Sequence, residues 1–205
     1  MLSFLNKYGA DYFSSQNREE GILLEVCRRL GLERGHAVEA GGANGLFCSN
    51  TALLLKDHGW SGVFVEGNYA LYLESEQNWR DYPRVRHQCC YVDEKNINAF
   101  VGDDCDLLSI DTDGKDFEIF RGLKARPKIV IVEIDSGIEP PSERVNADGG
   151  VGYWTMTTLA LESGYFVLCH TGNLVLVHQH YQHLFPECDP HPLIEWELYF
   201  NTAWL

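Results

Sequence analysis

Short apolar runs punctuated by glycine alternate with helical stripes along most of this chain. NREEGILLEVCRRLG (residues 17–31) sets Ile22, Leu23, Val26, Cys27 and Leu30 on one helical face, and Gly31 supplies the stop. Five runs read as strands: HAVEA (36–40), SGVFVEGN (61–68), RVRHQCCYV (84–92), CDLLSIDTDG (105–114) and PKIVIVEID (127–135). Between them CSNTALLLKDHG (48–59), YALYLESEQNWRDY (69–82), EKNINAFVG (94–102) and KDFEIFRGL (115–123) read as helices, with Asp93 as an N-cap for the third. A loop rich in Pro and Gly (136–152) leads to a helix over 153–164. A β-hairpin over 165–179 breaks at Thr171-Gly172-Asn173. The aromatic tail that follows carries no periodic signal.

Strands that alternate with helices imply a mostly parallel sheet covered on both faces. The expected class is α/β, a Rossmann-like doubly wound fold with a C-terminal antiparallel hairpin. The 205 residues suit one domain: an N-terminal helical lid (1–35), a cofactor-binding core (36–180) and a tail (181–205). Ligands of such sheets bind beyond the carboxyl ends of the strands. Glu39, Glu66, Asp111, Asp113, Glu133 and Asp135 fall there.

The turn after the first strand, VEAGGANGLFCSNT, resembles a nucleotide site at first sight. A dinucleotide turn needs G-x-G-x-x-G so that the backbone can approach a pyrophosphate. Counted from Gly41, this chain has Ala43 and Leu46 where the second and third glycines belong. Its spacing is instead E-x-G-x-x-x-G, with Glu39, Gly41 and Gly45. An acid in the turn suits a cationic ligand better than a phosphate. Glu66, at the end of the second strand, is placed to accept both hydrogen bonds of a ribose diol. An adenosine ligand with an amino-acid tail and no phosphate fits both acids, and S-adenosylmethionine is such a ligand.

VEAGGANG followed by SNT, then GWSGVFVEGN, NIN, DLLSIDTDGKDFEIF and PKIVIVEID resembles the class I S-adenosylmethionine-dependent methyltransferases, and within them the FkbM-like branch. SSQNREEGIL resembles the Ser-Gln-x-x-Glu-Asp-Gly opening of its relatives, so that the resemblance runs over about residues 14–180. It implies that Glu39, Gly41 and Gly45 hold the methionine part and approach the ribose. It implies that Asn50 lies by the cofactor or holds the turn, that Glu66 binds the ribose hydroxyls and that Asp111 borders the cofactor. The adenine contact is expected near Cys89–Asp93. The family includes enzymes that methylate sugar hydroxyls, and related branches use magnesium.

IDTDGKD and VEID gather carboxylates at the ends of the fourth and fifth strands. Asp111, Asp113 and Glu133 are candidates for the general base that takes a hydroxyl proton during methyl transfer. Asp111, Asp113 and Asp135 are candidate ligands of a divalent cation such as Mg2+. Direct binding of a cationic or polyhydroxylated substrate is the third reading. Asp116 reads as a helix cap. His170 is a further candidate base, while HQHYQH (178–183) reads as surface histidines. Tyr153 and Trp154 are candidates either to cover a substrate or to fill the core. Tyr8, Ser15 and Gln16 are candidate lid residues.

Thirty acidic against 16 basic residues leave a net charge of −14, which opposes a nucleic-acid partner. Seven cysteines without a CxxC pair fit a reduced, cytoplasmic protein, and neither a signal peptide nor a membrane span is expected. The expected activity is O-methylation of a sugar or other small hydroxylated metabolite, and a homo-oligomer stays open. Two alternatives remain: an NAD-type oxidoreductase, against which the turn argues, and a non-catalytic module of the same fold.

Overall fold

The computed structural model describes residues 2–188 and 190–204, and the backbone alone at 204. Seven strands form one sheet: β1 (His36–Ala40), β2 (Ser61–Glu66), β3 (Val85–Cys89), β4 (Leu107–Ile110), β5 (Ile129–Glu133), β6 (Tyr165–His170) and β7 (Asn173–His178). Their order is β3-β2-β1-β4-β5-β7-β6, parallel except where β7 runs against both β5 and β6. The hairpin therefore inserts its second strand beside β5 and leaves β6 at the edge.

Helices α1 (Leu2–Tyr8), α2 (Glu19–Leu30), α3 (Ala52–Asp57), α4 (Tyr69–Asn78), α5 (Asp116–Gly122) and α6 (Tyr153–Glu162) pack around it. Alternation along each strand divides the core in two. Val38, Val65, Leu108, Ile110, Val130 and Val132 face one layer, while Ala37, Phe64, Leu107, Ile129 and Ile131 face the other.

Register aligns the carboxyl edge. Ala40 lies opposite Val65 on one side and Ile110 on the other, Ile110 opposite Val132, and Glu133 opposite Asn173. One step beyond, Glu66, Gly41, Asp111, Glu133 and Asn173 form a transverse row across five strands.

Three elements differ from the sequence expectation. The helix expected over 48–59 begins only at Ala52, because Ser49, Asn50 and Thr51 are drawn onto Glu39. The helix expected over 94–102 shrinks to a 3-10 turn at Ile97–Ala99, and Asp93 Oδ1 accepts the N–H groups of Lys95 and Asn96 ahead of it. The tail is part of the core: Tyr199 and Phe200 are fully buried, and the Phe200 ring stacks on His170 at 4.6 Å. Helix α1 buries Phe4 and Leu5 against the sheet and Phe185, as a wall of the core rather than a cover for the site.

Candidate active site

Glu39 sits behind the turn after β1. It is 5% exposed and accepts from Ser49 Oγ (2.8 Å), Asn50 N (3.1 Å), Thr51 N (3.3 Å) and Thr51 Oγ1. Burial raises its pKa, and these donors oppose the rise. Asn50 is spent in the same way, its Nδ2 donating to Ser109 Oγ on β4 (3.1 Å). Both residues shape the turn through these bonds.

The glycines of the turn are fixed by space. A Cβ on Gly41 (φ +81°) would fall 1.6 Å from the Asp111 carbonyl oxygen. One on Gly45 (φ +74°) would strike Ser75 Oγ and the Trp79 ring. Trp79 Nε1 donates to the Gly45 carbonyl (2.9 Å), so the turn is moored on α4. Ala43, also left-handed, donates its N–H to Glu66 Oε2 (2.8 Å). Glu66 thus meets the turn from β2, and Asn68 N donates to its other oxygen at 2.6 Å. In the region named for adenine, the Tyr91 ring covers Gly67 and stays 79% exposed.

Beyond β4, β5 and β7 opens a cleft of about 410 Å³. Asp111, Asp113, Asp116, Glu133, Asp135 and Asp148 all line it, and no Lys, Arg or His does so among the described residues. Asp111, Asp113 and Glu133 bring one carboxylate oxygen each within 4.8 Å of one another. Burial above all raises the pKa of both Asp111 and Glu133. The neighbouring acids add to it, Asp116 first for Asp111 and Asp111 first for Glu133. The two carboxyls titrate as a coupled pair that retains a proton above the ordinary carboxylate range.

Asp135 lines the cleft without joining that trio. Its oxygens accept from Gly137 N (2.9 Å) and Asn146 Nδ2, which fastens the 136–152 loop; Glu133 takes the place expected for Asp135 among metal-ligand candidates. Asp116 folds back on the preceding turn, accepting from Thr112 N (2.7 Å), Thr112 Oγ1 (3.0 Å) and Gly114 N (3.1 Å). A Cβ on Gly114 would meet the Asp148 carbonyl at 2.5 Å, and one on Gly149 the Gly114 carbonyl at 2.5 Å. The two loops that rim the cleft touch backbone to backbone.

His170 does not reach the cleft. It is fully buried, its Nδ1 accepts from Asn201 N (3.1 Å) and its Nε2 meets Ser136 Oγ (2.8 Å). Burial pushes its pKa down to about 4, so it is a neutral strut between β6, the 136–152 loop and the tail. Tyr153 is likewise a core residue, with its hydroxyl on the Pro192 carbonyl (3.1 Å). Tyr8 accepts from Arg29, and Ser15 donates to Asp11; of the three candidate lid residues only Gln16 lines the cleft.

Two residues escaped the sequence reading. Glu20 is buried and accepts the N–H groups of Tyr12, Phe13 (2.7 Å), Ser14 (2.7 Å) and Ser15 (3.3 Å). Glu19 is buried and accepts from Thr171 Oγ1 (2.7 Å) and Asn173 Nδ2 (3.3 Å). Adjacent acids opening a helix read as dipole partners; their burial was the unread part.

The family model described as methyltransferase FkbM domain matches residues 25–145. Among solved structures, an S-adenosylmethionine-dependent methyltransferase from Clostridium acetobutylicum aligns with a TM-score of 0.54 at 9% identity, over 80% of this chain and 92% of its own. Monomeric WbdD aligns with a TM-score of 0.55 at 16% identity, over 87% and 44%. A Galdieria sulphuraria protein assigned as a sarcosine dimethylglycine methyltransferase gives 0.52 at 15%, over 73% and 62%. This chain spans less than two thirds of the last two proteins, and identities this low show a shared fold. No curated protein sequence matches the chain.

Proposed function

The chain belongs to the FkbM-domain methyltransferase family, and from that premise we propose that it is an S-adenosylmethionine-dependent O-methyltransferase acting on a sugar or another small hydroxylated metabolite. One observation supports this reading above the others. The transverse row joins the glycine turn and Glu66 to a cleft walled by carboxylates and, among the described residues, free of cationic side chains. The donor set fits a sulfonium cofactor. A dinucleotide's pyrophosphate would face acids in that cleft, where no described side chain offers a cation to meet it.

In this reading the turn from Gly41 to Gly45 approaches the cofactor through its backbone, and Glu66 receives the ribose hydroxyls. When bound, S-adenosylmethionine supplies a methyl group on a positively charged sulfur. The acceptor is held in the cleft, where carboxylates accept hydrogen bonds from its hydroxyls. The Asp111–Glu133 pair takes the proton released by the reacting hydroxyl. Its raised titration makes it a stronger base than an ordinary carboxylate. Asp113 stands at the rim of the same cluster.

The convergence of Asp111, Asp113 and Glu133 supports a second role for them, as oxygen ligands of a divalent cation such as Mg2+. A bound cation would draw the proton off the pair and orient an acceptor hydroxyl. The seven cysteines, none in a disulfide, fit a cytoplasmic setting, and no described helix is long and apolar enough to cross a membrane.

Calorimetric titration with S-adenosylmethionine and with NAD tests the cofactor. The expected result is binding of the first alone, and the reverse would overturn the proposal. A methyl-transfer screen over hydroxylated acceptors, run with and without a chelator, then tests the acceptor class and the cation.

A further inference from the structure

The N-terminal segment contributes two side chains to the cleft that the proposed reaction has not yet used. Gln16 lies exposed at its mouth and Asn17 is half-buried beside it. Among the described residues neither carboxamide has a hydrogen-bond partner, whereas the amide of Asn173, across the cleft, is given to Glu19. The backbone that carries them is held from three sides. Glu20 gathers the N–H groups just before them. Ser14 Oγ donates to the Ser49 carbonyl in the turn after β1 (2.8 Å). Asn17 N donates to Glu19 Oε2 (2.8 Å), and Glu19 reaches the β6–β7 turn. Two buried carboxylates are thus spent on fixing a short loop, which is how a recognition element is preorganised.

The electrostatics decide what that element meets. Six carboxylates line the rest of the cleft. An amino-acid tail has an ammonium, which that wall attracts, and a carboxylate, which it repels. The carboxylate needs neutral donors away from the acids. The carboxamides of Gln16 and Asn17 are such donors, on the wall tied to the turn after β1.

We propose that Gln16 and Asn17 hold the carboxylate of the cofactor's amino-acid tail and so make the site select S-adenosylmethionine over its decarboxylated form. The proposal rests on the cofactor reading above. The two ligands share the sulfonium, the amine and the adenosine, and differ in the carboxylate alone. Hydrogen bonds to a charged group set the expected preference of the native protein at about tenfold or more.

Calorimetry of both ligands on the native protein, on Gln16→Ala/Asn17→Ala and on Asn17→Asp tests it. The double variant should keep its affinity for the decarboxylated ligand and weaken for S-adenosylmethionine, so that the preference falls below about threefold. Asn17→Asp should reverse the preference, since a new carboxylate repels one ligand and attracts the amine of the other. A preference that survives in all variants, or an equal loss for both ligands, overturns the proposal. So does a native protein that binds the two equally. A native protein that binds neither overturns the cofactor reading itself, and this proposal with it.

Discussion

Gly41 is the most constrained residue of the site. Its left-handed backbone and its 1.6 Å approach to the Asp111 carbonyl leave no room for a methyl group. Gly41→Ala should cost more than about 2 kcal/mol and part the β1 turn from β4, seen as a fall in melting temperature with loss of cofactor binding. Asp111→Asn answers a different question. It should leave the fold intact and lower methyl-transfer kcat by about 10²–10⁴-fold if the pair is the base. Unchanged kcat, with and without a chelator, would assign the cluster to structure alone. Glu39, Gly41, Glu66 and Asp111 were legible as candidates because each lies at the carboxyl end of a strand that the apolar pattern marks or just past it. The direction of the Glu39 side chain was not, since its partners sit in a turn that the pattern read as helix. Glu19 was missed because Thr171 lies 152 positions away. Pattern reading sees neighbours, and this pairing exists only once the sheet has closed.

At the scale of elements, alternating strands and helices gave the right layers, and register did the rest. The order of the last two strands was beyond the pattern. A hairpin is equally regular whichever strand joins the sheet, and both strands here are apolar and buried, so the order shows only in the pairing of β7 with β5. The tail was silent because its apolar residues follow neither a helical nor a strand period, yet they lock the hairpin in place. Phe200 stacks on His170 and meets Tyr153 edge-on at 5.6 Å. Phe200→Ala should cost about 3–5 kcal/mol, measured by denaturant unfolding. The loss should also disturb Ser136 through His170, so cleft binding should weaken in a variant that touches no cleft residue.

The molecule as a whole carries two opposed pH dependences. Asp111 and Glu133 titrate higher in the fold than in the unfolded chain, so above about pH 4 the folded state holds more protons. Their effect is to lower stability as pH rises through that raised range. His170 is pushed down to about 4, so its contribution is complete above its unfolded value of about 6.5 and is lost as pH falls toward 4. With two carboxyls against one imidazole, melting temperature should fall as pH rises above about 4, and His170→Gln should steepen that fall below about pH 6.5. Mg2+ added on the alkaline side should raise the melting temperature if the carboxylate trio takes the cation. The tie from Glu19 to the β6–β7 turn has a consequence for how the chain is made. A ribosome releases Glu19 152 residues before Thr171. Until that turn emerges, Glu19 has no Thr171 or Asn173 to receive it, and the cleft lacks its N-terminal wall. The nascent chain can assemble β1 to β5 in sequence, but competence to hold a ligand waits until the β6–β7 turn has emerged.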